Sequence, residues 1–150
     1  MPALRIIYLW SLFFTVSFAR DMNRVRSVDY PGKEKRLEVL KKHLKLHTSV
    51  SDAAFDLYDV NLNADSSIPG PTHRDYRVAL RLPAGAAARW LTGIAVTSFP
   101  HDAAWCHALL AENIHVTPRQ KANFWTYTAK NKTAFFFKED NILCLRIFQD

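Results

Sequence analysis

Six histidines and two cysteines are the residues of this chain best equipped to hold a metal, carry a proton or attack a substrate. Their spacing decides among those chemistries. His43 and His47 stand four apart, the interval that brings two imidazoles onto one face of a helix and lets them chelate a divalent ion. The metalloprotease pattern needs a Glu beside the first His, whereas the intervening residues here are Leu44, Lys45 and Leu46. Lys41, Lys42 and Lys45 repel a cation, so the pair reads as solvated or stripe-edge histidines, and no metal is expected. Cys106 and His107 are adjacent, and neighbours on a helix diverge by about 100°, so thiol and imidazole do not meet as nucleophile and base. His101, His107 and His115 are too scattered to make a site by themselves. There is no Gly-x-Ser-x-Gly elbow and no glycine-rich phosphate loop. Asp52, Asp56 and Asp59 have the spacing of ordinary exposed acids. No catalytic residue emerges, and no cofactor is expected.

Cys106 and Cys144 take their meaning from location, and the first residues of the chain speak to location. Arg5 supplies a positive start, Ile6 to Val16 is an almost unbroken apolar run, and Ser17-Phe18-Ala19 offers small residues at a cleavage point. This reads as a secretory signal peptide over residues 1–19. From Ile6 to Ala19 a helix would reach roughly 21 Å at about 1.5 Å per residue, short of a bilayer core of about 30 Å. The chain is therefore expected to be periplasmic or extracellular and not an integral membrane protein. In an oxidising compartment the two cysteines are most simply read as one disulfide, with buried unlinked thiols as the alternative. Asn131-Lys132-Thr133 satisfies the N-glycosylation pattern beside an expected turn.

Composition narrows the class further. At 150 residues the chain suits one domain, and 49% hydrophobic residues exclude intrinsic disorder. The net charge of +6 is unevenly placed. Residues 20–50 hold nine Lys and Arg against four acids, while residues 51–150 hold ten of each. The basic segment is thus a candidate for an anionic surface, with Lys35, Lys42 and Lys45 on its outer side. A solvated lysine-rich helix face is the plainer reading. Phe124, Trp125 and Tyr127 lie far from it in a β-prone stretch, which argues against a specific nucleic-acid platform.

The elements that must position these residues follow from periodicity. Residues 20–32 read as a polar, irregular arm. Lys33 to His47 reads as a helix with a stripe of Leu37, Leu40 and Leu44, and with Val39 and Leu46 opposite. Phe55 to Leu62 alternates like a strand, but its apolar parity shifts between Leu57 and Tyr58, which predicts a bulge. Asn63 to Asp75 reads as a loop around Pro69-Gly70-Pro71. Tyr76, Val78, Leu80 and Leu82 then share one face of a strand, with Arg77, Ala79 and Arg81 on the other. Two short helices are expected at 84–91 and 101–112. Phe124 to Thr128 is β-prone, and the C-terminus forms a hairpin whose last strand, apolar on both faces, belongs in the middle of a sheet. The expectation is a single α+β domain over residues 33–150, with an antiparallel sheet of about four to five strands and two to three helices.

The functional expectation is a small exported, non-catalytic binding protein, inhibitor-like, immunity-like or an accessory subunit, whose partner is another protein. The loop from Ser66 to Asp75, carrying His73 and Arg74, is the expected recognition surface. Two other readings compete. One is a small secreted hydrolase in which two of His73, His101, His107 and His115 meet beside an acid. The other is a binder of anionic surfaces through residues 20–47.

Overall fold

The computed structural model describes residues 23–61, 72–97, 102–120 and 124–149. The expected signal peptide, the Pro69-Gly70-Pro71 turn and His101 lie outside the described residues. Seven strands form one antiparallel sheet: β1 (Arg24–Arg26), β2 (Asp52–Asn61), β3 (Thr72–Arg81), β4 (Ala95–Val96), β5 (Trp125–Ala129), β6 (Lys132–Phe137) and β7 (Ile142–Gln149). Three α-helices join it: α1 (Lys33–His43), α2 (Ala87–Trp90) and α3 (Ala104–Glu112). The α+β class is as expected. The sheet is larger than expected because the short edge strands β1 and β4 carry no alternation that three or two residues could display.

The strand order is β1-β2-β3-β7-β6-β5-β4. β7 lies between β3 and β6, and this explains its apolar residues on both faces: Leu143 and Leu145 point one way, Ile142 and Cys144 the other, all buried. β2 and β3 pair without interruption from Asp52 opposite Arg81 to Asn61 opposite Thr72. No bulge occurs at Leu57 and Tyr58. The parity shift marks instead where helical cover of one face ends, so Tyr58 stands on the less covered side. Nor does the loop extend to Asp75, since β3 begins at Thr72. Within the expected arm, Arg24–Arg26 pairs with β2 and Ser27–Asp29 makes a 3-10 turn.

Each sheet face is covered differently. On the first face Phe55, Leu57, Val78, Leu80, Leu143 and Leu145 pack with Val39 and Leu40 of α1 and Trp90 of α2. On the second, Ala54, Ala79, Phe135, Phe137, Ile142 and Cys144 pack under Trp105, Cys106, Leu109 and Leu110 of α3.

α1 stops at His43 rather than His47. Its inward stripe is Arg36, Val39 and Leu40, with Leu37 half-buried beside it, so the helix is covered on one side only. Beyond it the chain is extended at Leu44, and Leu44 and Leu46 both pack on the core. The two-residue repeat of an extended chain puts both inward while the chain travels toward β2, which a further helical turn would not do.

Arg36 is the one basic residue of α1 that is buried, at 5% exposed. Its Nε and Nη2 donate to the Asp52 carboxylate at 2.9–3.2 Å, and its Nη1 donates to the Tyr30 and Pro31 carbonyls at 3.1 and 2.7 Å. The arginine thereby ties the chain entering α1 to the start of β2. Removing one partner of a buried pair strands the other charge. Arg36→Met is therefore expected to destabilise the fold by about 3–5 kcal/mol, measured by denaturant unfolding.

Candidate functional site

The second face of the sheet is apolar only where α3 lies over it. Beyond the helix end, strand register sets two polar rows across β1, β2, β3 and β7. Arg26 stands opposite Asp56, Asp56 opposite Arg77, and Arg77 opposite Arg146. In the next row Arg24 faces Tyr58, Tyr58 faces Asp75, and Asp75 faces Phe148. Because side chains alternate along a strand, all eight share the face that carries Ala54, Ala79 and Cys144. Arg24, Asp56, Tyr58, Asp75 and Arg77 line a shallow cavity of about 410 Å³.

The charges interlock. Arg24 grips Asp56 with Nε and Nη2 at 2.7 and 2.6 Å. Arg26 reaches Glu112 at the end of α3 at 2.6 Å. Arg77 donates through Nε and Nη2 to one oxygen of Asp75 at 3.1 and 2.6 Å, and Arg146 donates to both oxygens at 2.9 and 3.0 Å. Two guanidinium groups thus share a single carboxylate. The Asp75 side chain is 11% exposed, against 35% and 36% for the two arginines. Burial works to raise the Asp75 carboxyl, but the hydrogen bonds from Arg146 and Arg77 outweigh it and hold the group below its ordinary value. The Arg146 guanidinium also lies 6.0 Å from the Phe148 ring centre, which further fixes its plane.

The residues expected to recognise a partner are dispersed by the fold. His73 and Arg74 are consecutive on β3, so they face opposite ways. His73 shares the face of Asp75 and Arg77, two residues away at the end of the open region. Arg74 lies on the other face, where it donates to Asp59 at 3.0 Å and sits 5.0 Å over the Tyr76 ring. The Tyr76 hydroxyl donates to the same Asp59 carboxylate. Burial, then Asp59, pushes the Tyr76 hydroxyl up to about 12. His43 packs edge-on against Tyr76 from the last turn of α1, with ring centres 6.3 Å apart.

Lys35 and Lys42 both reach Glu38, at 2.9 and 3.2 Å, and hold its carboxyl below the usual range. Lys45 is exposed beyond the helix end. Lys35 and Lys42 line the outer side of α1, across the sheet from the arginine rows. His47, past the helix end, rests on Trp90 with ring centres 5.0 Å apart, so the His43–His47 spacing never becomes a helical pair.

The remaining described histidines, His107 and His115, do not converge. His115 lies 3.3 Å from the Ala53 carbonyl and 3.9 Å from Asp52, while His107 sits against the Phe124 ring. Among the described residues no three His, Cys, Asp or Glu side chains form a group able to hold a metal. Cys106 and Cys144 are free thiols, not the expected bridge. Packed among Leu109, Leu110 and Phe135, they act as small apolar groups. Burial pushes the Cys144 thiol well up, with a hydrogen bond to Cys106 adding to it. The thiolate needed for exchange is thereby disfavoured. Asn131 is exposed in the tight turn joining β5 and β6. No helix among the described residues is long and apolar enough to cross a membrane. Comparison with family models, curated proteins and solved structures gives no match.

The Asp75 pair makes stability depend on acid in a definite direction. A carboxyl that is more acidic in the folded state binds fewer protons there than in the unfolded chain. Its contribution is present above the unfolded value of about 4 and disappears as pH falls through the lower folded value. Asp75→Asn is expected to flatten the loss of stability as pH falls below about 4, relative to the unsubstituted protein. Urea unfolding across that range measures the difference, and parallel curves would refute the assignment.

Proposed function

We propose that the chain is a small exported, non-catalytic binding protein that meets another protein through the open end of its second sheet face, in the manner of an inhibitor, an immunity-like neutraliser or an accessory subunit. The observation that carries this reading is the part of the second face that no described helix covers. Four arginines, a tyrosine and a phenylalanine are presented there by four hydrogen-bonded strands, with acids that hold the arginines in place. Arginine and aromatic residues are the types that protein interfaces favour, because each combines area with directional bonds. A sheet supplies the rigid support that keeps such side chains in register. The apolar leader with Arg5 supports an exported setting, in which a neutralising or accessory role is exercised on proteins outside the cytosol.

The expected recognition loop is replaced in this proposal by the strands beside it. His73 remains at the margin of the surface, and Arg74 belongs to the opposite face. The lysines of α1 are a weaker choice, since lysine is depleted at interfaces relative to the rest of the surface and its ammonium lacks the guanidinium fork.

The test expresses the whole chain and recovers it from outside the producing cells. Intact mass is expected to show removal of residues 1–19. Affinity capture then compares the unsubstituted protein with Arg77→Ala/Arg146→Ala and with Lys35→Ala/Lys42→Ala. A partner that rebuilds a stoichiometric complex from purified components should bind at least about tenfold more weakly to the arginine variant and unchanged to the lysine variant. The opposite ranking would move the function to α1, and retention of the chain inside the cell would remove its setting.

A further inference from the structure

We infer that the Arg77–Arg146 pair is a carboxylate-binding site, and that the partner presents an acidic side chain to it. This rests on the reading of the open face as the binding face and names the chemistry of what binds. The two guanidinium groups lie on adjacent strands, directly opposite each other in register, and both are held by Asp75. Each guanidinium has five N–H donors, and Asp75 takes two from each. Among the described residues neither Nη1 group has an acceptor, and both side chains are about one-third exposed.

Among the described residues a single carboxylate, Asp75, pairs with both positive charges, which leaves the pair one net positive charge together with unused donors in a fork geometry. An incoming carboxylate answers both needs and forms charge-assisted bonds with groups already fixed in place. The surroundings choose among anions. Asp56 and Asp75 stand within the same two rows, and Glu112 borders them through Arg26. A surface dense in phosphate would set negative charge against those acids. A protein surface of mixed sign, with one acid over the arginine pair, meets complementary charge throughout.

Isotope-labelled protein, purified from cells expressing the whole chain, provides the test. Blocked hexaglutamate is titrated while the arginine Nε–Hε resonances are followed by NMR, with blocked hexaglutamine and inorganic phosphate as separate arms. Saturable shifts at Arg77 and Arg146 with hexaglutamate, absent with hexaglutamine and smaller with phosphate, are expected. Affinity should fall at least tenfold in Arg146→Gln and also in Arg77→Lys, which keeps the charge but loses the fork. Unchanged binding by Arg77→Lys would overturn the proposal. So would hexaglutamate binding lost in Lys35→Ala/Lys42→Ala but kept in Arg146→Gln, or a larger response to phosphate than to hexaglutamate. If a captured partner depends on Arg77 and Arg146 while hexaglutamate shifts neither, the carboxylate assignment falls and the binding face stands. If the captured partner ignores both arginines, the face itself is wrong.

Discussion

Strand β7 joins two halves of the sheet that have no other long pairing between them. β2 and β3 form one hairpin, β5 and β6 another, and both reach a common sheet only because the last strand of the chain inserts between β3 and β6. A strand in that position is covered above and below, which is why Ile142, Leu143, Cys144 and Leu145 are consecutive buried residues rather than alternating ones. Past Leu145 the demand relaxes. Arg146 and Phe148 point out of the second face and Ile147 into the first, so a single strand passes from core to candidate site within a few residues.

The open end of that face is a consequence of length. β2 and β3 have ten residues each and extend roughly 33 Å, whereas the nine-residue α3 spans about 14 Å. The first face has α1, α2 and the extended stretch after α1 to cover it. Among the described residues the second has α3 and the short 3-10 turn at Ile114–Val116. Sheet surface that no described helix covers has to be compatible with water, and the rows of Arg, Asp and Tyr are how these strands meet that requirement. The candidate site therefore begins precisely where helical cover ends at Glu112, which itself closes the boundary by pairing with Arg26.

Much of this was legible in the residues. The alternation of Tyr76, Val78, Leu80 and Leu82 against Arg77, Ala79 and Arg81 defines β3, and the doubly apolar C-terminal strand announces a central position. What periodicity conceals is pairing. Asp75 reads as the end of a loop until its place opposite Phe148 is known, and Arg146 reads as an isolated charge in an apolar strand until Arg77 is found beside it. Arg36 was hidden for the converse reason. In a run of lysines and arginines one cation looks like the next, and only the positions of Asp52 and the Tyr30 and Pro31 carbonyls single it out. His73 and Arg74 show the same limit, since an assumed loop left their facing undefined and the strand sends them to opposite sides.

The more exposed pairs of this network, Arg24 with Asp56 and Arg26 with Glu112, do little for the stability of the fold, because exposed ion pairs recover small energies against solvent and salt. The effect of the network is geometric. Asp75 lies deeper than the arginines it holds, so it restrains the guanidinium groups from below and leaves their outer edges available. A lone arginine on a strand would sample many rotamers and lose that freedom on binding. Two arginines drawn to one carboxylate have lost much of it already, and Arg24 on Asp56 repeats the device one strand away. Such a surface discriminates more by charge pattern than by strength of attraction, since every misplaced acid meets Asp56, Asp75 or Glu112. The same arrangement that keeps an uncovered sheet face in water thus also makes it selective.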